Sequence, residues 1–232
     1  MRRPVIAIDG PAGSGKSTVA KLVAQRLGFL YIDTGAMYRA LTVKALQTKT
    51  DLNDETKLGA LARATDIKLE QSSGSLKVYP HTKNFSARVY LDGEDVTSEI
   101  RTPEITNKVK YIARAKPVRE CMVAKQRKLG EEGGTVMEGR DIGTVVLPDA
   151  DKKFYIDASF DVRVARRHKE LNGNGAALTE EEVRKDLKIR DESDFNRAIG
   201  PLKKADDAIV VDTTDLTIEG VVDKVLSIIK AL

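Results

Sequence analysis

The sequence predicts an α/β fold, a mostly parallel sheet whose strands alternate with helices over most of the chain. Two observations carry that expectation. Short apolar runs alternate with segments of helical periodicity, and the first such run, Val5-Ile6-Ala7-Ile8, leads through a glycine-rich turn straight into a helix. Taken in order, the candidate strands are residues 5–9, 30–33, 135–138, 153–157 and 208–211. The candidate helices are residues 16–27, 36–48, 54–64, 103–113, 118–129, 161–171, 180–191 and 217–231. Helices between strands are what a parallel sheet needs for its crossovers.

Two stretches break the alternation. Residues 67–96 hold short β-type runs, Ile67-Lys68-Leu69, Leu76-Lys77-Val78 and Ala87-Arg88-Val89-Tyr90-Leu91. They are separated by the turn signals Ser72-Ser73-Gly74-Ser75 and Asp92-Gly93, which predicts a small antiparallel sheet inserted into the core. Residues 161–200 are rich in Arg, Lys and Glu and contain Asn172-Gly173-Asn174-Gly175-Ala176. This predicts two polar helices around a mobile tip, a helical lid. The chain is then one domain, 1–232, with its core at about 1–65, 101–160 and 201–232, the inserted sheet at about 66–100 and the lid at about 161–200.

Composition narrows the function classes. Hydrophobic residues make up 41% and charged residues 32% of the chain, which suits a soluble protein, and no apolar run approaches the ~20 residues of a membrane span. Met1-Arg2-Arg3-Pro4 runs straight into a core strand, leaving no room for a cleavable signal. The single cysteine, Cys121, excludes an intramolecular disulfide and fits a reducing cytosol. Its position on an apolar helix face favours packing over catalysis. His81 and His168 have no ligand-type neighbours in the sequence, so a zinc site is not expected. A net charge of +4 with no long Lys/Arg tract, no Trp and 5% aromatics argues against a base-stacking nucleic-acid platform. Small phosphorylated molecules fit better.

Gly10-Pro11-Ala12-Gly13-Ser14-Gly15-Lys16-Ser17-Thr18 contains a complete G-x-x-x-x-G-K-[ST] phosphate-binding loop. The glycines let successive backbone N–H groups point at phosphate oxygens, and the following helix adds the positive end of its dipole. Lys16 is placed to reach the β- and γ-phosphates, and the Ser17 hydroxyl to ligate Mg²⁺. We therefore expect a nucleoside triphosphate to bind here.

Further chemistry gathers at predicted strand ends, where open α/β sheets place their ligands. Asp33-Thr34-Gly35-Ala36-Met37-Tyr38-Arg39 follows the second strand. Thr34 is a natural N-cap whose hydroxyl is also able to read a base edge, and Arg39 lies one turn into the helix, within reach of a phosphate. Glu138-Gly139-Arg140-Asp141-Ile142-Gly143-Thr144 follows the third strand. Arg140 suits bidentate phosphate contact, and Asp141 can accept a hydrogen bond from an exocyclic amine. Glu138 fits either a role near Mg²⁺ or one as a buried partner for an arginine. The lid supplies Arg163, Arg166, Arg167, Arg184, Arg190 and Arg197. Several are solvated charges of helix faces. A closing lid that carries arginines nevertheless meets the needs of phosphoryl transfer, and Arg190, Asp194 and Arg197 are the favoured residues.

Residues 10–18, 33–39, 139–144 and 190–197 together resemble the bacterial-type cytidylate kinases, a family of P-loop nucleoside monophosphate kinases. The resemblance spans essentially the whole chain. Gly-Arg-Asp-Ile-Gly-Thr and Arg-Asp-x-x-Asp-x-Asn-Arg are more specific than the phosphate loop. It implies a P-loop three-layer α/β/α fold with a five-stranded parallel sheet, an antiparallel NMP-binding insert and a helical lid. It further implies that residues 10–18 hold ATP, and that Thr34 (where the family commonly has serine), Arg119 and Asp141 surround a cytosine. Arg39, Arg140 and Arg197 would clamp the acceptor phosphate, and Arg190 and Asp194 would lie near the pentose. Where the family usually has a sugar-contacting serine, this chain has Lys110.

A monophosphate acceptor attacks through an oxygen already ionised at neutral pH, so no general base is needed to make the nucleophile. Catalysis then rests on alignment and charge neutralisation, by Lys16, Arg140, Arg190 and Arg197 with Mg²⁺. The expected ligands are ATP and CMP or dCMP, with no nucleic acid or membrane, in a cytoplasmic monomer. A regulatory P-loop NTPase is the competing class, but the Asn-Lys-x-Asp motif of guanine-nucleotide switches is absent from the sequence. A nucleic-acid-binding protein would need a continuous basic face. A hydroxyl-phosphorylating kinase, such as a shikimate-type one, would leave the inserted sheet and residues 139–144 unexplained.

Overall fold

Strand periodicity and helix capping account for most of the architecture. In this computed structural model the described residues are 2–71, 87–173, 175 and 177–230. The runs 72–75 and 76–78, His81, Asn174, Ala176 and the end of the last expected helix lie outside them. Five parallel strands form the main sheet: β1 (Val5–Asp9), β2 (Leu30–Asp33), β6 (Thr135–Gly139), β7 (Lys152–Asp157) and β8 (Ile209–Asp212). Their order is β2-β6-β1-β7-β8. In β1 every residue is buried, as a central strand covered on both faces must be.

Alternating side chains divide between the two faces. Ile6 and Ile8, with Tyr31, Val136, Phe154 and Ile156, pack against α1 (Lys16–Leu27) and α8 (Ile218–Lys230). Ala7, Ile32 and Met137 pack on the opposite face with Ile142, Val146 and Val123. Val123 belongs to α5 (Lys116–Gly130), which joins α2 (Thr34–Gln47), α3 (Glu55–Ala64) and α4 (Pro103–Arg114) in a second apolar cluster. The result is the expected three layers.

The insert is also present. β3 (Ile67–Gln71), β4 (Ala87–Leu91) and β5 (Glu94–Asp95) form a separate antiparallel sheet in that order. Its apolar face, Val89 and Leu91, packs with Ala36, Ala40 and Val43 of α2. The two polar helices are α6 (Phe160–Gly173) and α7 (Glu180–Phe195). Thr179 and Glu182 form a reciprocal capping box that starts α7. Val164, Val183 and Leu187 join the pair to Ala12 of the phosphate loop. Among the described residues no helix is long and apolar enough to cross a membrane.

Candidate active site

Strand order decides which residues meet. β1, β6 and β2 are neighbours with their C-terminal ends at one edge, so the segments that follow them share a crevice. The first is the phosphate loop. A Cβ on Gly10 would run into the Ile156 carbonyl of the adjacent strand, so only glycine lets the loop pass so close to β7. Lys16 is 7% exposed, and its ammonium donates to the Pro11 carbonyl at 3.2 Å. Burial, and next the nearby Arg140, hold its pKa below the usual lysine range, against an opposing pull from Glu138. Ser14 Oγ is buried with no hydrogen-bond partner among the described residues. Both groups suit an anion seated in the loop.

Glu138, at the end of β6, accepts from the Ser17 hydroxyl at 2.7 Å and from the Tyr31 hydroxyl at 2.5 Å. Burial first, then Asp33, push its pKa up, while Lys16 pulls it down. The sequence left two roles open for Glu138; its partners are the loop serine and a tyrosine, and no arginine pairs with it among the described residues. One expectation changes at the next strand end. The cap of α2 is Asp33, whose carboxylate accepts from the Ala36 N–H at 3.0 Å. Thr34 is instead the first helical residue, and its hydroxyl donates to the Glu138 carbonyl at 2.7 Å. That bond ties the start of α2 to the end of β6.

Asp141 lies just past β6 in a buried ion pair with Arg119 of α5. The two side chains are 2% and 8% exposed, and the guanidinium sits 5.9 Å from the Tyr38 ring centroid. Burial raises the Asp141 pKa, and Arg119 is the largest opposing influence. Arg119 Nε is buried with no hydrogen-bond partner among the described residues. A donor next to a carboxylate, in a dry corner, is suited to a heterocycle edge. Gly200 closes this corner at φ 60, and a Cβ there would run into both Arg119 and Asp141.

The cations converge beside it. Arg140 Nε donates to Asp194 Oδ2 at 2.7 Å and Arg197 Nη2 donates to Asp194 Oδ1 at 2.6 Å. Arg39 and Arg190 make no hydrogen bond or ion pair among the described residues. Burial and the neighbouring Arg140 and Arg39 bring Arg190 down to about 9. Burial lowers Arg39 too, with Asp33 opposing and Arg167, Arg140 and Arg101 adding to the effect. So much positive charge in one partly dry crevice fits polyanions.

The six arginines of α6, α7 and the segment just after α7 thus divide. Arg167, Arg190 and Arg197 belong to the cation cluster. Arg163 instead fastens α6 to α7 and the loop, donating to Asp191 at 2.6 Å and to the Ala12 carbonyl at 3.1 Å. Arg166 donates to the Thr213 hydroxyl and carbonyl at 2.8 and 2.7 Å, and Arg184 pairs with Asp161 at 2.6 Å. Lys110 is exposed on α4, 5.4 Å from the Tyr111 ring centroid.

Sequence reasoning missed three groups here: Tyr31, Arg101 and Asp9. Asp9 is 4% exposed and accepts from the N–H groups of Ile142 and Gly143, each at 2.8 Å. Burial pushes its pKa up to about 7 despite those two bonds. A lone carboxylate at the end of an otherwise apolar strand was the available signal.

Comparison with known proteins decides the family. A family model described as cytidylate kinase matches residues 6–231. The chain belongs to the cytidylate kinase family. It is 51% identical to the cytidylate kinase of Geobacillus sp. (strain WCH70), over 97% of this chain and 95% of that protein. It is 49% identical to the cytidylate kinase of Caldanaerobacter subterraneus subsp. tengcongensis, over 97% and 94%. A solved structure of an uncharacterized protein from Eubacterium ventriosum shares the fold, with TM-score 0.51, 15% identity and 100% coverage of both chains. Family membership makes the chain a nucleotide kinase whose match runs through the core, the inserted sheet and the α6–α7 pair.

Proposed function

We propose that the chain transfers the γ-phosphoryl group of ATP to CMP or dCMP, giving CDP or dCDP and ADP. The observation that carries this reading is the buried Arg119–Asp141 pair, whose Arg119 Nε has no partner among the described residues, beside a cluster of arginines from α2, the end of β6 and the α7 region, next to a complete phosphate loop. One crevice thus offers a triphosphate cradle and a separate base-and-phosphate pocket.

Residues 10–18 bind the donor, with Lys16 on its terminal phosphates. Asp141 accepts from the cytosine amine, Arg119 donates to the ring edge and Thr34 closes that side. Arg39, Arg140 and Arg197 clamp the acceptor phosphate, and Arg190 and Asp194 stand at the pentose. Asp194 holds Arg140 and Arg197 in place before a phosphate is present, which reduces the ordering needed on binding. The acceptor oxygen is already anionic, so these residues align it and neutralise charge rather than remove a proton. The α6–α7 pair acts as the lid that excludes water.

The donor set also fits Mg²⁺. Ser17 and Glu138 are hydrogen-bonded, and Glu138 is a buried carboxylate beside Asp33, a crowding of negative charge that a cation relieves. Among the described residues there is no group of three or more acidic, His or Cys ligands. That suits a hydrated Mg²⁺ held mainly through phosphates. When bound it supplies charge neutralisation at the donor phosphates. The lone Cys121 fits a reducing cytoplasm, and we read the enzyme as a cytoplasmic monomer acting on small nucleotides.

Gly200→Ala is expected to raise the KM for CMP at least about tenfold, because the new methyl displaces the Arg119–Asp141 pair. The KM for ATP should stay within about twofold, since the phosphate loop is untouched. Steady-state kinetics with each nucleotide varied in turn checks this. The function itself is tested by following ATP consumption with and without CMP. Consumption that requires CMP, and that chelation of divalent cations abolishes, supports the kinase. Equal consumption without CMP would support a switch-type NTPase instead.

A further inference from the structure

The segment that carries Arg140 and Asp141 continues as a five-residue π-type turn, Ile142–Val146. Inside it, the N–H groups of Val145 and Val146 bond the Asp141 carbonyl, and that of Leu147 bonds the Ile142 carbonyl at 2.7 Å. Like any short helix, such a turn leaves its first N–H groups and last carbonyls without internal partners. Two remote side chains supply both sets. Asp9 takes the Ile142 and Gly143 N–H groups at the front. Arg127, from α5, donates to the Val146 carbonyl at 2.9 Å and to the Val145 carbonyl at 2.7 Å at the back. Their charges also match the ends they serve, a carboxylate at the N-terminus and a guanidinium at the C-terminus.

The geometry matters because Asp141 both starts the turn and reads the acceptor. Its carbonyl accepts two of the turn's bonds, while its carboxylate holds Arg119. Any rotation of the turn therefore moves the base-reading carboxylate and, one residue earlier, Arg140. Asp9 also pairs in register with Gly139 across β1 and β6 and immediately precedes Gly10. The clamp is thus anchored to the backbone that enters the phosphate loop.

We propose that Asp9 and Arg127 are positioning residues for the acceptor, capping the Ile142–Val146 turn from opposite ends so that Arg140 and Asp141 stay in register with the phosphate loop. Neither side chain touches the nucleotide in this account. The proposal rests on the acceptor-site assignment made above.

Arg127→Met keeps the aliphatic stem and removes both donors, at a position remote from the donor loop. It is expected to raise the KM for CMP about threefold to tenfold, from the loss of two charge-assisted hydrogen bonds partly replaced by water. The KM for ATP should stay within about twofold, and Arg127→Lys, which keeps one charged donor, should restore part of the loss. Asp9→Asn presents an amide N–H to one of the two turn N–H groups, so a larger rise in the KM for CMP, at least about tenfold, is expected. If Asp9→Asn does not fold, the arginine pair of variants decides the matter alone. A melting temperature lowered with the KM for CMP unchanged, or equal KM rises for CMP and ATP, would overturn the proposal. Asp141→Asn, measured alongside, separates the two claims. If it raises the KM for CMP while the Arg127 variants do not, only the positioning role fails. If it leaves the KM for CMP unchanged, the acceptor-site assignment itself fails.

Discussion

Replacing Lys16 with alanine should lower kcat/KM for phosphoryl transfer by at least about a thousandfold, or roughly 4 kcal/mol of transition-state stabilisation at 1.36 kcal/mol per decade. The buried ammonium is held by one carbonyl and crowded by Arg140, so a polyphosphate is the partner that repays its burial. In the proposed reaction its charge lies where the transferring group develops its own. Binding of CMP, measured by calorimetry without ATP, should change by no more than a few-fold, since the acceptor wall is built on other strand ends. Lys16→Met, which keeps the aliphatic volume, guards against a packing explanation. A variant that retains most of its turnover would refute the assignment.

The second large effect is expected at Asp141. Asp141→Asn should raise the KM for CMP by about a hundredfold or more, because one of the two carboxylate oxygens becomes an NH2 donor, and the single oxygen left cannot serve both Arg119 and the substrate amine. The KM for ATP should stay within about threefold. Alanine is the poorer choice, since it strands the Arg119 guanidinium in a buried site, a fault worth about 3–5 kcal/mol in comparable cases. Kinetics on the asparagine variant, with thermal melting beside it, distinguishes loss of base reading from loss of fold. Equal losses for the two nucleotides would sink the base-reading role.

Much of this was legible because strand ends speak clearly. The apolar run at residues 5–8, the loop after it and the charged segments after residues 33 and 138 point to one edge of a parallel sheet. The strand order that joins β2 and β6 turns that expectation into a shared crevice. Local capping was read one residue late: Thr34 is a good cap by type, but Asp33 reaches the Ala36 N–H and frees the threonine to bond across to β6. The α6–α7 arginines were legible only as a group. Sequence spacing puts Arg163 and Arg167 on one helix face, yet it does not reveal that Asp191 and the Ala12 carbonyl claim Arg163. Asp9 showed in the sequence only as a lone carboxylate ending an apolar strand, and Arg127 not at all, because their role lies in pairing with backbone groups 133 and 19 residues away. Composition and periodicity carry no trace of such contacts.

In the proposed reaction one crevice holds a triphosphate donor and a cytidine monophosphate acceptor together. A coupled assay of ADP release, run with ATP and Mg²⁺ across CMP, dCMP, UMP, AMP and GMP, tests it most directly. Rapid ADP release is expected with CMP or dCMP, and release near background with AMP and GMP, whose purine edges do not match Asp141 and Arg119. ADP release at one rate whatever monophosphate is added, or highest with a purine, would contradict it.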